Sequence, residues 1–131
     1  MTPQVFAFEV WIKGADGQLV DDRGERAIIN TRTASMARYS FFLDARDWCP
    51  DLKFIQVRAR KAGSPVTSAG LLATMKNRGR PELVAGARVI VDGKPGVVVG
   101  GNHSSNFDVL LDHLRFSLNV HPTDIKMEAA E

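Results

Sequence analysis

The last third of the chain holds the side chains best suited to bind a metal ion. Imidazole nitrogens and carboxylate oxygens are common metal ligands, and the candidates are His103, Asp108, Asp112, His113 and His121. However, no cysteine pair and no His-x-x-x-His spacing brings several of these ligands onto one face. The sequence therefore predicts no metal site and no cofactor.

The same stretch contains the side chains that a hydrolase would need. Ser104 or Ser105 could act as nucleophile, with His103 or His121 as general base. Nothing around these serines resembles a nucleophile elbow. The glycines between residues 93 and 101 do not form a phosphate loop, because no Lys-Ser or Lys-Thr follows them. We therefore expect a protein that is not an enzyme.

A run of positive charge in the middle of the chain is the most informative feature. The net charge is only +2, yet residues 53–80 contain no acidic side chain and both flanking segments are mildly acidic. The basic block consists of Lys53, Arg58, Arg60, Lys61, Lys76, Arg78 and Arg80. Such a block favours an anionic partner. Phosphate contacts would displace counterions and make the affinity fall steeply with salt, and Phe54 and Trp11 could offer stacking surfaces if exposed.

Two other interpretations of the basic block stay open at this point. Its arginines could pair with Asp21, Asp22 or Asp51 on a solvated face. They could instead contact an acidic surface of another protein. The sequence does not decide whether the block forms one contiguous surface, or whether its partner is DNA, RNA or protein.

Length and composition indicate one globular domain, or two small units that share a core. The chain has 131 residues, with 44% hydrophobic and 24% charged side chains. Two halves near sixty residues would each be marginally stable, so we expect them to pack together or to dimerise. The single cysteine fits a reducing compartment, and no export signal or membrane-spanning run is evident. We therefore expect a cytoplasmic protein without membrane contact, as a monomer or homodimer.

Residues 1–62 predict a β-β-α-β unit. Alternation of apolar and polar residues predicts strands over Val5–Lys13, within Glu25–Arg32, and over Leu52–Lys61. The first two form a hairpin with a turn at residues 14–17. On the third strand, Ile55 is expected to face inward together with Val57 and Ala59.

A helix is predicted between the second and third strands. Thr33 or Ser35 can serve as its N-cap, and Pro50 stops it after about Trp48. Its apolar residues form two arcs, namely Met36, Tyr39 and Leu43 on one and Ala37, Phe41, Ala45 and Trp48 on the other. Two arcs indicate two packing partners, the hairpin and either the C-terminal unit or another copy of the chain. Phe41 and Trp48 are therefore candidate protein-interface residues, unless one arc is simply exposed.

A basic connector and a small barrel complete the predicted layout. In the connector, residues 63–83, Thr67 or Ser68 caps a short helix that ends at Gly79 and Pro81. Residues 84–131 then show five short alternating segments separated by turns. The predicted strands are 86–91, 95–99, 107–112, 115–120 and 125–127, with a single helical turn at 122–124. The Gly100-Gly101 pair is expected to allow a sharp bend or a close backbone approach.

The third and fourth of these strands also predict a register. If His113-Leu114 is a two-residue loop, then Phe107 pairs with Val120 and Val109 with Leu118. The same register pairs Leu111 with Phe116 and Asp112 with Arg115, which places the apolar residues on one face.

The C-terminal pattern resembles a known family of small barrels. A Gly-x-Arg-Val-x-Val opening from Gly86, a Lys-Pro-Gly-Val-Val-Val segment from Lys94, and a helical turn before the last strand resemble SH3-like barrels of the KOW type, found in ribosomal and transcription proteins. The resemblance implies binding through loops and one open face, here Lys94, Asn102, His103 and Asn106. Unlike the basic members that bind nucleic acid, this barrel carries a net negative charge.

The whole layout is also similar to small proteins encoded by bacteriophages and integrated elements. The similarity involves Arg38-Tyr39, the segments at 44–47 and 50–52, and Asn119-Val120-His121-Pro122. We therefore predict an α+β binding protein in a bacterial or phage accessory role that contacts nucleic acid through electrostatics. The alternative is a protein–protein interaction module, or a mobile-element inhibitor of a host defence complex.

Overall fold

The computed structural model describes residues 3–14 and 26–128. The chain divides into two compact units, one from Phe6 to Ser64 and the other from Pro65 onward together with the residues before Phe6. The described residues form two helices and eight strands, which confirms the α+β class. The predicted turn at residues 15–17, the acidic pair Asp21-Asp22 and the tail after Glu128 lie outside the described residues.

The N-terminal unit is a three-stranded antiparallel sheet with one helix. Its elements are β1 (Phe6–Ile12), β2 (Ala27–Thr31), α1 (Ala34–Ala45) and β3 (Val57–Gly63). The strand order is β2-β1-β3, so β1 is central and β3 is an edge strand. Alternate residues of β1, among them Phe8, Val10 and Ile12, pack with α1 in the core of this unit.

Helix α1 begins where the sequence predicts and buries one face. The Thr33 hydroxyl accepts a hydrogen bond from the Met36 amide at 3.1 Å, which satisfies a first-turn donor. Ala37, Phe41 and Ala45, spaced four residues apart, are its buried residues. Phe41 is only 6% exposed and belongs to the core, whereas Trp48 is 41% exposed. Leu43 and Tyr39, on the other predicted arc, are also exposed.

The approach to β3 differs from the prediction. Residues Phe54–Gln56 form a 3-10 turn, and Ile55 within it is 70% exposed rather than inward-facing. The cause is local, because the Lys53 amide donates to Gln56 Oε1 and the Gln56 amide donates to the Lys53 carbonyl, both at 2.9 Å. This closed turn removes Ile55 from the period-two alternation, so the strand begins only at Val57.

The C-terminal unit is a curled five-stranded antiparallel sheet with one helix. Its elements are α2 (Ala69–Arg78), β4 (Arg88–Val91), β5 (Lys94–Gly101), β6 (Phe107–Leu111), β7 (Leu118–Val120), a 3-10 turn (Pro122–Asp124) and β8 (Ile125–Met127). The strand order is β7-β6-β5-β4-β8. The core contains residues from each of these five strands, with Val120 from β7. Leu71 and Met75 of α2 also belong to it.

The predicted register is confirmed for its central pairs and wrong beyond them. Phe107 pairs with Val120 and Val109 with Leu118. The expected pairs of Leu111 with Phe116 and of Asp112 with Arg115 are not part of the ladder, which ends at Val109 and Leu118. The chain turns immediately after β6, because the Leu114 amide donates to the Leu111 carbonyl at 3.0 Å. The segment that follows is therefore a wider loop, and Phe116 is exposed.

Helix α2 is capped as predicted and packs closely on β5. The Ser68 hydroxyl accepts a hydrogen bond from the Leu71 amide at 3.1 Å, and Gly79 ends the helix in the left-handed conformation at φ 64°. At Gly101, a Cβ atom would lie only 2.6 Å from Thr74 Oγ1 and 2.9 Å from the Gly70 carbonyl oxygen. The prediction of a close backbone approach at this glycine is therefore confirmed. Neither helix of the described chain has the length and apolar character needed to cross a membrane.

Candidate functional site

The outer face of the N-terminal sheet carries the one charged residue of β1, Glu9, and the two arginines of β3. Glu9 is paired with Arg60 and Trp11 with Arg58 across the two strands. Because directly paired residues share a face, these four side chains lie on one side of the sheet. The alternate residues of β1 form the helix-side core, so the outer face is the side away from α1.

Glu9 is the centre of an ion-pair cluster on this outer face. Arg26 Nη1 donates to Glu9 Oε1 at 2.9 Å, and Arg60 Nη2 donates to the same oxygen at 2.9 Å and to Oε2 at 3.3 Å. The hydrogen bond from Arg26, assisted by the charge of Arg60, holds the pKa of Glu9 below its ordinary value of 4.5. Two guanidinium groups thus share one carboxylate, and the Arg60 side chain stays 66% exposed.

Each of the two aromatic rings predicted as stacking surfaces has an arginine guanidinium over one face. The guanidinium carbon of Arg26 lies 3.8 Å from the centroid of the Trp11 ring. That of Arg38 lies 4.3 Å from the centroid of the Phe54 ring. One face of each ring is therefore occupied by a cation–π contact, which limits the ring area left for a nucleobase.

Two arginines bind the backbone around the 3-10 turn at Phe54–Gln56. Arg58 Nη1 donates to the Ile55 carbonyl and, at 3.5 Å, to the Val57 carbonyl. Arg38 donates through Nε to the Val57 carbonyl at 2.8 Å and through Nη2 to the Phe54 carbonyl at 3.2 Å. These contacts satisfy carbonyl oxygens at the end of the turn. Arg58 is therefore partly engaged with its own strand, and Arg60 is the more accessible of the two predicted strand arginines.

The remaining basic residues of this unit lie near the same strand. Lys61 is exposed, and its ammonium nitrogen lies 3.5 Å from the centroid of the Phe6 ring. Lys53 is exposed at the start of the 3-10 turn.

Two arginines of the basic block, Arg78 and Arg80, form internal hydrogen bonds in the C-terminal unit. Arg78 donates to the Ser105 carbonyl at 2.7 Å, to the Ser104 carbonyl at 3.4 Å and to Asn106 Oδ1 at 3.1 Å. Arg80 donates to Glu82 Oε2 at 2.6 Å and to the carbonyls of Pro122 and Ile125 at 2.7 and 3.2 Å. The Arg80 hydrogen bond is also the main cause that lowers the pKa of Glu82. Lys76 is exposed in the last turn of α2.

No family model, no curated protein and no solved structure matches this chain. Prediction from sequence singled out Arg58 and Arg60 but missed Glu9, which pairs with Arg60, and Arg26, which pairs with Glu9. It also missed Arg38, which binds the carbonyls of Phe54 and Val57. Strand alternation already places Glu9 on the polar face of β1, but only the pairing of β1 with its two neighbours brings Arg26, just before β2, and Arg60 of β3 to it.

The predicted binding loop at 102–106 is folded around one side chain. Asn102 Oδ1 accepts hydrogen bonds from the Ser104 and Asn106 amides at 3.1 and 3.3 Å, and Asn102 Nδ2 donates to Asp108 Oδ1 at 3.0 Å. Asn102 therefore shapes the loop, and His103 is exposed. Lys94 is also exposed and follows the turn at Asp92 and Gly93, whose φ values of 51° and 76° are typical of a tight hairpin.

The candidate metal ligands are dispersed. Within the part of the chain that the structure describes, no group of three or more His, Cys, Asp or Glu side chains could hold a metal ion. His121 caps the following 3-10 turn by accepting a hydrogen bond from the Thr123 amide at 3.2 Å. Asp112 binds Arg88 in a bidentate pair at 2.8 and 2.7 Å. That pair raises the pKa of Arg88 far above its ordinary value, so Arg88 stays charged.

An open groove of about 890 Å³ lies in the C-terminal unit between the β4–β5 turn and the last strands. Asp92, His121, Asp124 and Lys126 are among its lining residues. The groove has charges of both signs, and among its lining residues Thr123 Oγ1 lies 2.8 Å from His121 Nδ1. It offers no clear chemistry.

Proposed function

We propose that the protein is a non-enzymatic binding protein whose N-terminal unit contacts the phosphate backbone of nucleic acid. One observation carries the proposal: on the outer face of the sheet Arg26 and Arg60 share the single carboxylate of Glu9, and Arg58 lies on the same face. The one carboxylate on this face is thus outnumbered by three guanidinium groups. A surface of this kind attracts polyanions without reading base sequence.

The position of β3 at the edge of the sheet favours such a contact. The strand order β2-β1-β3 leaves one side of β3 without a partner strand among the described residues. Arg60 and Lys61 are both exposed on it. Charged side chains on an edge strand also prevent edge-to-edge aggregation, so the two roles are compatible. A nucleic acid backbone that follows this edge would meet both cations within one strand.

The contact is expected to be small. Because Arg78 and Arg80 already donate to carbonyl oxygens of their own chain, we centre the proposed contact on the other cations of the predicted set. Three phosphates neutralised by Arg58, Arg60 and Lys61 would give a log–log salt slope of about −3. Binding of this size is expected to be weak at physiological salt and clear at low salt.

The test is a fluorescence-anisotropy titration of labelled duplex and single-stranded oligonucleotides at about 50 and about 200 mM salt. Arg60→Ala combined with Lys61→Ala should weaken binding at low salt by about tenfold or more and reduce the salt slope. Lys126→Ala, an exposed lysine of the other unit, is the matched control and should bind like the native protein. Absence of binding at low salt, or equal binding by the double variant, would refute the proposal.

We propose further that the C-terminal unit is an SH3-like barrel of the KOW type. Its support is the curled five-stranded sheet in the order β7-β6-β5-β4-β8, with a 3-10 turn before the last strand. On this proposal the accessible loop residues are Lys94 and His103, while Asn102 and Asn106 maintain the loop. An accessory role in a bacterium or phage remains part of the same proposal.

A second candidate function is a protein–protein interaction module, including an inhibitor of a host defence complex. Trp48 favours it, because this large side chain is exposed after α1 while its neighbour Phe41 is buried, at a ring-centroid distance of 6.4 Å. Affinity purification from a lysate with and without nuclease separates the two candidates. Partners that persist after nuclease treatment and are lost in Trp48→Ala support the second, whereas partners lost on nuclease treatment support the first.

A further inference from the structure

The helix side of the N-terminal unit carries a second surface, distinct from the outer sheet face. Four exposed apolar side chains come from α1 and from the 3-10 turn, namely Tyr39, Leu43, Phe54 and Ile55. We call this set the helix-side patch. Leu43 is 43% exposed and Ile55 is 70% exposed, which is costly for aliphatic side chains. Exposed apolar groups that lie together mark interaction sites more often than isolated ones do, and Tyr39 and Phe54 of this set are in ring contact.

The aromatic part of the patch is fixed by ring contacts. Phe54 meets Tyr39 edge-on at a centroid distance of 6.3 Å, and it meets Phe42 edge-on at 5.6 Å. These contacts connect α1 to the 3-10 turn. The patch is therefore preorganised, so binding a partner would cost little conformational entropy in the side chains of this protein.

The border of the patch is positively charged. Arg38 lies over Phe54 at 4.3 Å, and Arg46 lies over Phe42 at 5.5 Å. Arg58 adds a third guanidinium beside the Ile55 carbonyl. At about 100° per residue, Arg38, Phe42 and Arg46 follow one row of α1 next to Tyr39 and Leu43, while Asp44 falls on the far side of the helix. The patch thus combines apolar contacts with cations and keeps the helix's acidic residue away.

We propose that the helix-side patch docks an acidic segment of a partner protein that also carries apolar side chains. Charge complementarity selects this partner, because glutamate or aspartate beside an apolar anchor would meet Arg38, Arg46 and Arg58. A second copy of this chain is disfavoured, since a two-fold contact would bring together two copies of the same positively bordered patch. Nucleobases are disfavoured as well, because Arg38 already covers one face of Phe54 and two rings contact it edge-on.

This docking surface does not depend on the proposed nucleic-acid contact. The proposed nucleic-acid contact is centred on Arg60 and Lys61 of the edge strand β3, whereas the patch is formed by α1 and the 3-10 turn; Arg58 is the residue that both use. Loss of oligonucleotide binding in Arg60→Ala with Lys61→Ala should therefore leave binding at the helix-side patch unchanged.

The test uses a short synthetic peptide in which glutamates alternate with leucine and phenylalanine, and a second peptide with glutamine at every glutamate position. Binding to the ¹⁵N-labelled full chain is followed by amide chemical shifts. The acidic peptide should shift residues 38–46 and 54–58, and the glutamine peptide should bind about tenfold more weakly. Shifts that avoid these residues, or equal binding of both peptides, would overturn the proposal.

Two variants make the test specific. Leu43→Glu combined with Ile55→Glu should weaken peptide binding by about tenfold or more, because it puts negative charge into the patch. Ile28→Glu is the matched control, since Ile28 is an exposed isoleucine of β2 in the same unit; it should bind the peptide like the native chain. Circular dichroism melts confirm that each variant is folded.

Three results would contradict the proposal. The first is unchanged peptide binding in the folded double variant. The second is an oligonucleotide that shifts the same patch residues and displaces the peptide, which would assign the patch to nucleic acid. The third is a concentration-dependent dimer that the double variant abolishes, which would assign the patch to a second copy of the chain.

Discussion

Arg38 binds Phe54 in two ways: its guanidinium lies over the Phe54 ring at 4.3 Å, and its Nη2 donates to the Phe54 carbonyl at 3.2 Å. The same side chain reaches the Val57 carbonyl through Nε at 2.8 Å. One arginine of α1 thereby connects the helix to the 3-10 turn and to the start of β3. The contact also maintains the helix-side patch, because the position of Phe54 depends on it.

Arg38→Ala is expected to lower the free energy of unfolding of the N-terminal unit by about 2 kcal/mol, because two carbonyl hydrogen bonds from a charged donor are lost. Urea denaturation followed by tryptophan fluorescence measures the change. Arg46→Ala is the control, since Arg46 lies 5.5 Å from the Phe42 ring in a looser contact, and it should cost about 0.5 kcal/mol or less. Equal effects of the two substitutions would show that the carbonyl contacts of Arg38 contribute nothing.

Gly101→Ala is expected to destabilise the C-terminal unit by about 1–3 kcal/mol through overpacking. The added Cβ would lie 2.9 Å from the Gly70 carbonyl oxygen and 3.0 Å from Leu71 Cα, so α2 would have to move away from β5. Gly100→Ala is a neighbouring control, because the nearest atom to its Cβ would be Asp108 Oδ2 at 3.5 Å. Thermal melts should give a clearly lower melting temperature for Gly101→Ala than for Gly100→Ala. A melting temperature of Gly101→Ala equal to that of Gly100→Ala would contradict the close approach.

Arg78→Ala is expected to loosen the loop at 102–106 and to leave nucleic-acid binding unchanged. The substitution removes three hydrogen bonds to that loop, at the Ser104 and Ser105 carbonyls and at Asn106 Oδ1. Amide hydrogen exchange should become faster at Ser105 and Asn106, with a stability loss of about 1 kcal/mol. Lys76→Ala, two residues earlier on α2 and exposed, should change neither property. A drop in oligonucleotide affinity in Arg78→Ala would instead show that Arg78 belongs to the binding surface.

Glu9→Gln is expected to make the protein less stable near neutral pH and to reduce its sensitivity to acid. The pKa of Glu9 is lowered by Arg26 and Arg60, so its ionised form stabilises the folded state above the ordinary value of 4.5. This stabilisation is lost as the pH falls through the lower pKa of the folded state. The melting temperatures of the native protein and Glu9→Gln should therefore differ at pH 7 and converge toward pH 3. A constant difference across that range would exclude the ion pairs as its cause.

Much of the local structure follows from short-range chemistry in the sequence. Thr33 and Ser68 cap their helices, and Gly79 ends α2, because these residue types satisfy free backbone groups close to them in the chain. The pairing of Phe107 with Val120 follows from period-two alternation on both strands. The prediction failed at Ile55, where a glutamine side chain closes a turn that alternation does not reveal.

Contacts between distant segments of the chain decide which basic residues form internal hydrogen bonds and which stay exposed. The sequence shows that seven basic residues lie between positions 53 and 80, and it determines their charge at neutral pH. It does not show that Arg78 and Arg80 donate to backbone carbonyls tens of residues away, whereas Arg60 stays exposed beside Glu9. A guanidinium group binds whichever acceptor the fold brings within about 3 Å. The sequence by itself therefore determined most of the elements and the excess of positive charge in this segment, and only the tertiary structure decided which of its cations stay exposed.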